Sequence, residues 1–147
     1  MTGPANTLLR ALTAVASIGA GVLHWDIWAN HGYRATPVRE MFIASAVAGV
    51  AVGLLALLPK RGAALPAVVA NAAFLVAFAL SRVTELPTFH GPWSERGLAP
   101  TDAMFGGVST TLLLLIAEGA AVVLGLGSLL FGRARRSRPL PAEVARA

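Results

Sequence analysis

Residues 103–131 read AMFGGVSTTLLLLIAEGAAVVLGLGSLLF, and this stretch decides the fold class. At a rise of about 1.5 Å per residue, about 20 residues of helix cross the hydrocarbon layer of a bilayer. Glu118 is the only charged residue in the stretch. Because lipid offers no hydrogen bonds, the backbone must satisfy its own, which favours a helix. The stretch therefore predicts a transmembrane helix.

Three further apolar stretches precede it, and we predict one helix for each, over residues 8–29, 40–58 and 63–82. None of the nine prolines lies in the middle of a predicted span, and Pro59 ends the second one. The sequence thus predicts an all-α, antiparallel bundle of four transmembrane helices in a single domain, 1–132. Residues 133–147 form a basic tail that we expect to be disordered in the cytoplasm.

The composition agrees with a lipid environment. The chain is 56% hydrophobic and 13% charged, with a mean hydropathy of +0.69. The absence of cysteine excludes disulfides, thiolate metal clusters and thiol nucleophiles. The net charge of +5 does not predict nucleic-acid binding, because the cations collect at helix ends and in the tail. The expected partner of the surface is the lipid bilayer.

The positive charges predict the orientation of the bundle. Arg10, the Lys60–Arg61 turn and the arginines of the tail fall on one side if four helices alternate. The positive-inside rule therefore places both termini in the cytoplasm, as in a multi-pass protein of the bacterial inner membrane. A secretory signal is the alternative interpretation of the first stretch, but its apolar core runs on into Trp25 without a small-residue cleavage site.

Small residues lie four apart on the first two predicted helices. Ser17 precedes Gly21 on the first helix, and Ser45, Gly49 and Gly53 follow one another on the second. Such spacing allows close approach of helices in lipid, either within one chain or in a homo-oligomer.

Glu118 is the first candidate for chemistry. A charge at the centre of a span costs about 2.5 to 3.5 kcal/mol on insertion scales, so this side chain should face the bundle interior. Asn71 lies at comparable depth in the third predicted helix, which makes it the expected hydrogen-bond partner. The functional hypothesis is a proton or cation relay. The structural alternative is a neutral carboxyl group that fixes helix packing.

A second set of polar residues gathers on the predicted outer side: His24, Asp26, His31, Tyr33, Arg34, Arg82, Glu85 and His90. Two helical turns separate His24 from His31, about 10 Å, which is too far for one metal ion. A haem or metal site would need His24 together with His90 from the long third connection. The alternative is hydrogen bonding with lipid headgroups, and an ionic lock for Arg82. We predict no metal site and no cofactor from these spacings.

The motifs of common enzyme classes are missing from the chain. It contains no phosphate-binding glycine loop, no His-Glu-x-x-His and no Gly-x-Ser-x-Gly. The sequence therefore offers no catalytic residue.

The stretch Gly21-Val-Leu-His24-Trp-Asp-Ile-Trp28, with Gly32-Tyr33-Arg34-Ala-Thr-Pro37 after it, resembles small uncharacterised four-helix membrane proteins of actinobacteria. The chain is also loosely similar to DoxX-type bundles linked with quinone chemistry. The resemblance implies a four-span layout and transfers no activity.

Three functional hypotheses follow from these observations. The first is a structural, accessory or partner-binding membrane protein without catalysis, acting as a homo-oligomer or with a membrane partner subunit. The second is a proton-coupled small-solute carrier that uses Glu118 and Asn71. The third is a haem- or quinone-linked redox subunit that uses His24 and His90.

Overall fold

The computed structural model describes residues 3–30, 39–60, 62–83, 104–105 and 108–134. It contains four helices packed together, which confirms the all-α class. In chain order the helices are α1 (Pro4–Asn30), α2 (Arg39–Leu57), α3 (Leu65–Val83) and α4 (Thr110–Ala134). An antiparallel pair of two-residue strands, β1 (Met104–Phe105) and β2 (Val108–Ser109), precedes α4.

The helices form a ring in which each packs against its two neighbours in sequence and α4 closes back onto α1. Contacts fix α1 and α4 as antiparallel, since Asn6 meets Ser128 near one end and His24 meets Glu118 towards the other. Helices α1 and α3 lie across the bundle and touch only briefly. Gly62 makes the tight turn from α2 to α3 possible, because its φ of 75° is a conformation that favours glycine.

Three of the helices are long and apolar enough to cross a membrane: Pro4–Asn30, Arg39–Leu57 and Thr110–Gly132. The apolar part of α3, Leu65–Leu80, is shorter. The chain is accordingly a small multi-pass membrane protein.

The bundle is apolar outside and small or polar inside. Large aliphatic side chains point away from it, and Val15 and Val123 are 68% and 69% exposed. The buried apolar residues are instead mostly alanines, among them Ala20, Ala56 and Ala67, each 0% exposed. In water such a surface would be unfavourable, whereas lipid tails solvate it as well as a protein core would. This distribution supports lipid as the solvent of the helices.

The small residues of α1 and α2 meet each other within the chain. A Cβ added to Gly49 would lie 2.9 Å from the Cα of Gly21, and one added to Gly21 would lie 2.7 Å from the carbonyl oxygen of Ala46. The predicted groove is therefore used for contact between α1 and α2.

The ends of two helices differ from the predicted spans. Helix α1 begins four residues earlier than predicted, because Pro4 can occupy the first turn of a helix and the carbonyl oxygen of Gly3 accepts a hydrogen bond from the backbone nitrogen of Thr7. Helix α4 begins at Thr110 rather than at residue 103, because β1 and β2 occupy part of the intervening chain. Glu118 consequently lies in the third turn of α4, about 4.5 Å from the middle of the apolar span Thr110–Gly132.

Candidate functional site

The interior of the bundle contains a series of buried polar side chains along its length. Nine polar or charged residues are buried among those described: Arg10, Thr13, Ser17, His24, Asn71, Thr110, Thr111, Glu118 and Ser128. Four of them lie on one face of α1, at spacings of three, four and seven residues. From Arg10 to His24 this face extends for about 21 Å at the usual rise of a helix. Polar groups thus recur through most of the bundle.

His24 and Glu118 are the two ionisable residues of this set that contact each other. The Nε2 of His24 lies 3.7 Å from the Oε1 of Glu118, and their side chains are 9% and 2% exposed. At 1.5 Å per residue His24 lies about 9 Å from the end of α1, and Glu118 lies about 12 Å from the start of α4. The antiparallel packing of α1 and α4 therefore brings the two groups to the same depth.

The imidazole ring of His24 is held by all the other helices. Its Nδ1 donates a hydrogen bond to the carbonyl oxygen of Ala20, 3.0 Å away. The rings of Phe42 on α2 and Phe74 on α3 lie 6.1 and 5.3 Å from it, and Glu118 belongs to α4. Because Nδ1 carries the hydrogen of that bond, Nε2 is the nitrogen that can accept a proton. That nitrogen is the one directed at the carboxyl group.

This geometry allows the pair to hold one proton without net charge. The proton resides either on Nε2, beside a carboxylate, or on the carboxyl group, beside a neutral imidazole. Loss of that proton would leave a buried negative charge, and gain of a second would leave a buried positive one. Both are costly inside a membrane domain. The pair is therefore suited to passing a single proton.

Asn71 belongs to a second polar group, deeper in the bundle. Its Nδ2 donates to the Oγ of Ser17 at 2.9 Å and to the carbonyl oxygen of Ala67 at 2.8 Å. Ser17 in turn donates to the carbonyl oxygen of Gly49 at 3.0 Å. This chain of bonds connects α3, α1 and α2. The Oδ1 of Asn71 is enclosed and accepts no hydrogen bond from the described part of the chain, which leaves an acceptor in the interior.

The expected hydrogen bond between Glu118 and Asn71 is not formed among the described residues. Asn71 lies about 18 Å from the end of α3, whereas Glu118 lies about 12 Å from the start of α4, so Asn71 is the deeper of the two. The amide of Asn71 bonds to Ser17 and Ala67 instead, and the carboxyl group of Glu118 faces His24. Both residues are interior, as expected, but in two separate groups.

The predicted outer cluster is only partly within the described residues. His24 lies in the interior and not at the surface, while Asp26 accepts a hydrogen bond from the Nδ2 of Asn30 at 2.6 Å. Arg82 lies in α3. The remaining members lie outside the described residues: His31, Tyr33, Arg34, Glu85 and His90. The pairing of His24 with His90 is therefore still a prediction.

Sequence reasoning missed the pairing of His24 with Glu118. The available signal was depth, since α1 and α4 run in opposite directions, His24 lies about two turns before the end of α1, and Glu118 lies about two turns after the start of α4. Predicting α4 from residue 103 hid this signal, because it placed Glu118 about 10 Å deeper than it lies.

Within the described ranges, no group of three or more histidine, aspartate or glutamate side chains is arranged to hold a metal ion.

Comparison with known protein families, curated proteins and solved structures finds no match to this chain. The resemblance to actinobacterial four-helix proteins thus stays a prediction, and the site has to be interpreted from its own geometry.

Proposed function

We propose that this protein is a four-span protein of the bacterial inner membrane that carries protons, with or without a coupled small solute, through its His24–Glu118 pair. Both termini lie in the cytoplasm. Helix α3 also crosses the membrane, which brings the number of spans from three to four. The positive charges of Arg10 and Lys60 at one end of the bundle support this orientation.

The buried pair is the observation on which the proton-carrying function rests. Ionisable groups inside membrane domains are expensive, and those that persist commonly belong to ion or proton pathways. Glu118 is 2% exposed and forms no hydrogen bond with any residue in the described ranges, where His24 is its ion-pair partner. A neutral residue of similar size would pack α4 against α1 at lower cost. A proton-carrying function explains why a carboxyl group lies there.

The other polar side chains of the interior extend the pathway to both sides. The Oγ1 of Thr110, at the start of α4, is buried, has no hydrogen-bond partner among the residues that the structure describes, and lies on the outer side of the pair. Asn71 and Ser17 lie on the inner side, with Thr13 beyond them. Such groups can relay a proton directly or through water.

Reconstitution into proteoliposomes tests the proposal. The vesicles would contain a pH-sensitive dye, and a potassium gradient with valinomycin would supply the driving voltage. We expect the wild-type protein to acidify the lumen, and Glu118→Gln and His24→Gln to reduce proton flux to that of empty vesicles. Removing a required proton-transfer group typically costs about 10²- to 10⁴-fold in rate.

Glu40→Gln is the matched control, because Glu40 also lies on a helix but its side chain is 64% exposed and paired with Arg39. This variant should retain wild-type flux. Wild-type flux from Glu118→Gln in correctly folded protein would refute a role of the pair in proton movement.

An accessory or partner-binding role is the second candidate. The hydrogen bonds from Asn71 to Ser17 and from Ser17 to Gly49 hold α3, α1 and α2 together, as in a rigid scaffold. This role predicts a partner subunit that co-purifies after gentle solubilisation, and a wild-type growth phenotype for Glu118→Gln. A haem- or quinone-linked role would show in the absorption spectrum or the extracted lipids of the same preparation.

A further inference from the structure

Arg10 is a buried cation at the end of the bundle opposite to the His24–Glu118 pair. It is 6% exposed, and its Nε donates a hydrogen bond to the carbonyl oxygen of Ala56 at 3.0 Å. Ala56 lies in the last turn of α2, where backbone carbonyls carry a partial negative charge. One contact of Arg10 is thus explained by helix termination.

The helix end does not neutralise Arg10. The end of a helix carries only about half an elementary charge, and one of the five N–H donors of the guanidinium is used. The acidic side chains among the described residues are Asp26, Glu40 and Glu118, and none forms an ion pair with Arg10. His24, which pairs with Glu118, lies about 21 Å along α1 from Arg10. The counter-charge of Arg10 is therefore not supplied by the described part of the chain.

The two Nη nitrogens are the groups that remain available. Within the described residues, the bond from Nε to Ala56 is the only hydrogen bond of the Arg10 side chain. Paired Nη donors fit two oxygens of one phosphate group, which a single ammonium cannot match. Lys60, exposed just beyond the end of α2, adds positive charge at the same end of the bundle.

We propose that Arg10 binds a phosphate group at the membrane surface, as carried by an anionic phospholipid of the leaflet next to the ends of α1 and α2. The apolar residues around this end support a lipid source. Leu8 and Leu12 on α1 and Leu55 on α2 are 59%, 42% and 43% exposed, so acyl chains can pack beside the guanidinium. This site is separate from the proposed proton pathway, and neither depends on the other.

Native mass spectrometry of the full chain in detergent tests the site. Phosphatidylglycerol is compared with phosphatidylcholine of the same acyl chains, and inorganic phosphate is the third ligand. We expect the wild-type protein to retain phosphatidylglycerol about tenfold better than phosphatidylcholine, which corresponds to about 1.4 kcal/mol. Arg10→Gln should lose this preference. The control Lys60→Gln should keep most of it.

The ligands distinguish the two sources of phosphate. Competition by millimolar inorganic phosphate at Arg10 would support the phosphate site and assign it to a soluble anion. Retention of phosphatidylglycerol in the presence of inorganic phosphate would assign it to lipid. An unchanged lipid preference in folded Arg10→Gln would overturn the proposal.

A second measurement uses the wild-type protein alone, in case Arg10→Gln does not fold. Phenylglyoxal modifies arginine, and peptide mapping reports the extent of reaction at Arg10. We expect Arg10 to react more slowly in phosphatidylglycerol micelles than in phosphatidylcholine micelles. A role limited to capping α2 predicts equal reaction in both, and that result would overturn the proposal.

Discussion

The contact between Gly21 and Gly49 allows a quantitative prediction for Gly49→Ala. The added Cβ would lie 2.9 Å from the Cα of Gly21 and 3.0 Å from both the nitrogen of Gly21 and the carbonyl oxygen of Ser17. All three are backbone atoms of α1, so no side-chain rotation can relieve the contacts. Helices α1 and α2 must therefore move apart by several tenths of an ångström.

The cost follows from two effects. Overpacking of a well-packed contact typically destabilises by about 1 to 3 kcal/mol. The separation also stretches the hydrogen bond from Ser17 to the carbonyl oxygen of Gly49, now 3.0 Å, and interhelical bonds in membranes contribute about 0.6 kcal/mol. Alanine favours the helix by up to about 1 kcal/mol over glycine. We expect a net loss of about 0.6 to 2.6 kcal/mol in the free energy of unfolding.

Reversible unfolding in mixed micelles, with rising sodium dodecyl sulfate, measures this free energy. Gly19→Ala is the matched control, because it is the same substitution on α1 and its Cβ would meet nothing within 4 Å. It should be neutral or stabilising. If Gly49→Ala unfolds at the same detergent fraction as Gly19→Ala, the close packing of α1 on α2 is refuted.

The other predictions concern the hydrogen bonds of Ser17, the topology of the chain and the lipid environment of the helices. Ser17→Ala should destabilise the folded protein by about 0.6 to 2 kcal/mol. A double-mutant cycle with Asn71→Ala should show coupling, because the Oγ of Ser17 accepts a hydrogen bond from the side-chain amide of Asn71. The chain lacks cysteine, so single cysteines can report topology. A thiol reagent that cannot cross the membrane should label Asn30→Cys in whole spheroplasts and Lys60→Cys only after lysis, and labelling of both from outside would contradict the proposed orientation. The protein should sediment with membranes from broken cells and need detergent for release, and recovery in the soluble fraction would contradict the multi-pass assignment.

The number and approximate extent of the helices could be predicted from hydropathy. The second predicted span, 40–58, differs from Arg39–Leu57 by one residue at each end, and the third, 63–82, differs from Leu65–Val83 by one or two. The start of α4 could not be predicted, because residues 104–109 are as apolar as a span. Hydropathy measures transfer into lipid and does not distinguish a strand pair from a helix.

The candidate site was predicted in part. Depth and charge alone placed Glu118 and Asn71 in the interior, and both are buried. Their partners depend on how each helix is rotated about its axis and on which helices are neighbours, and spacing along one helix contains neither. The sequence groups His24 with the polar residues on the predicted outer side. The buried face of α1, however, includes His24, as its separation of seven residues from Ser17 indicates.

The polar face of α1 has a consequence for biosynthesis. α1 is the least hydropathic of the three candidate spans, and it emerges from the ribosome first. Arg10 and Ser17 find partners on α2 and α3, but His24 meets Glu118 only when α4, the last of the four helices, has been made. Until then the helix would leave the translocon at a cost, since unpaired polar groups oppose partition into lipid. Release of the nascent chain into the bilayer should therefore wait for the whole bundle, so that a truncation before α4 yields a substrate for membrane quality-control proteases.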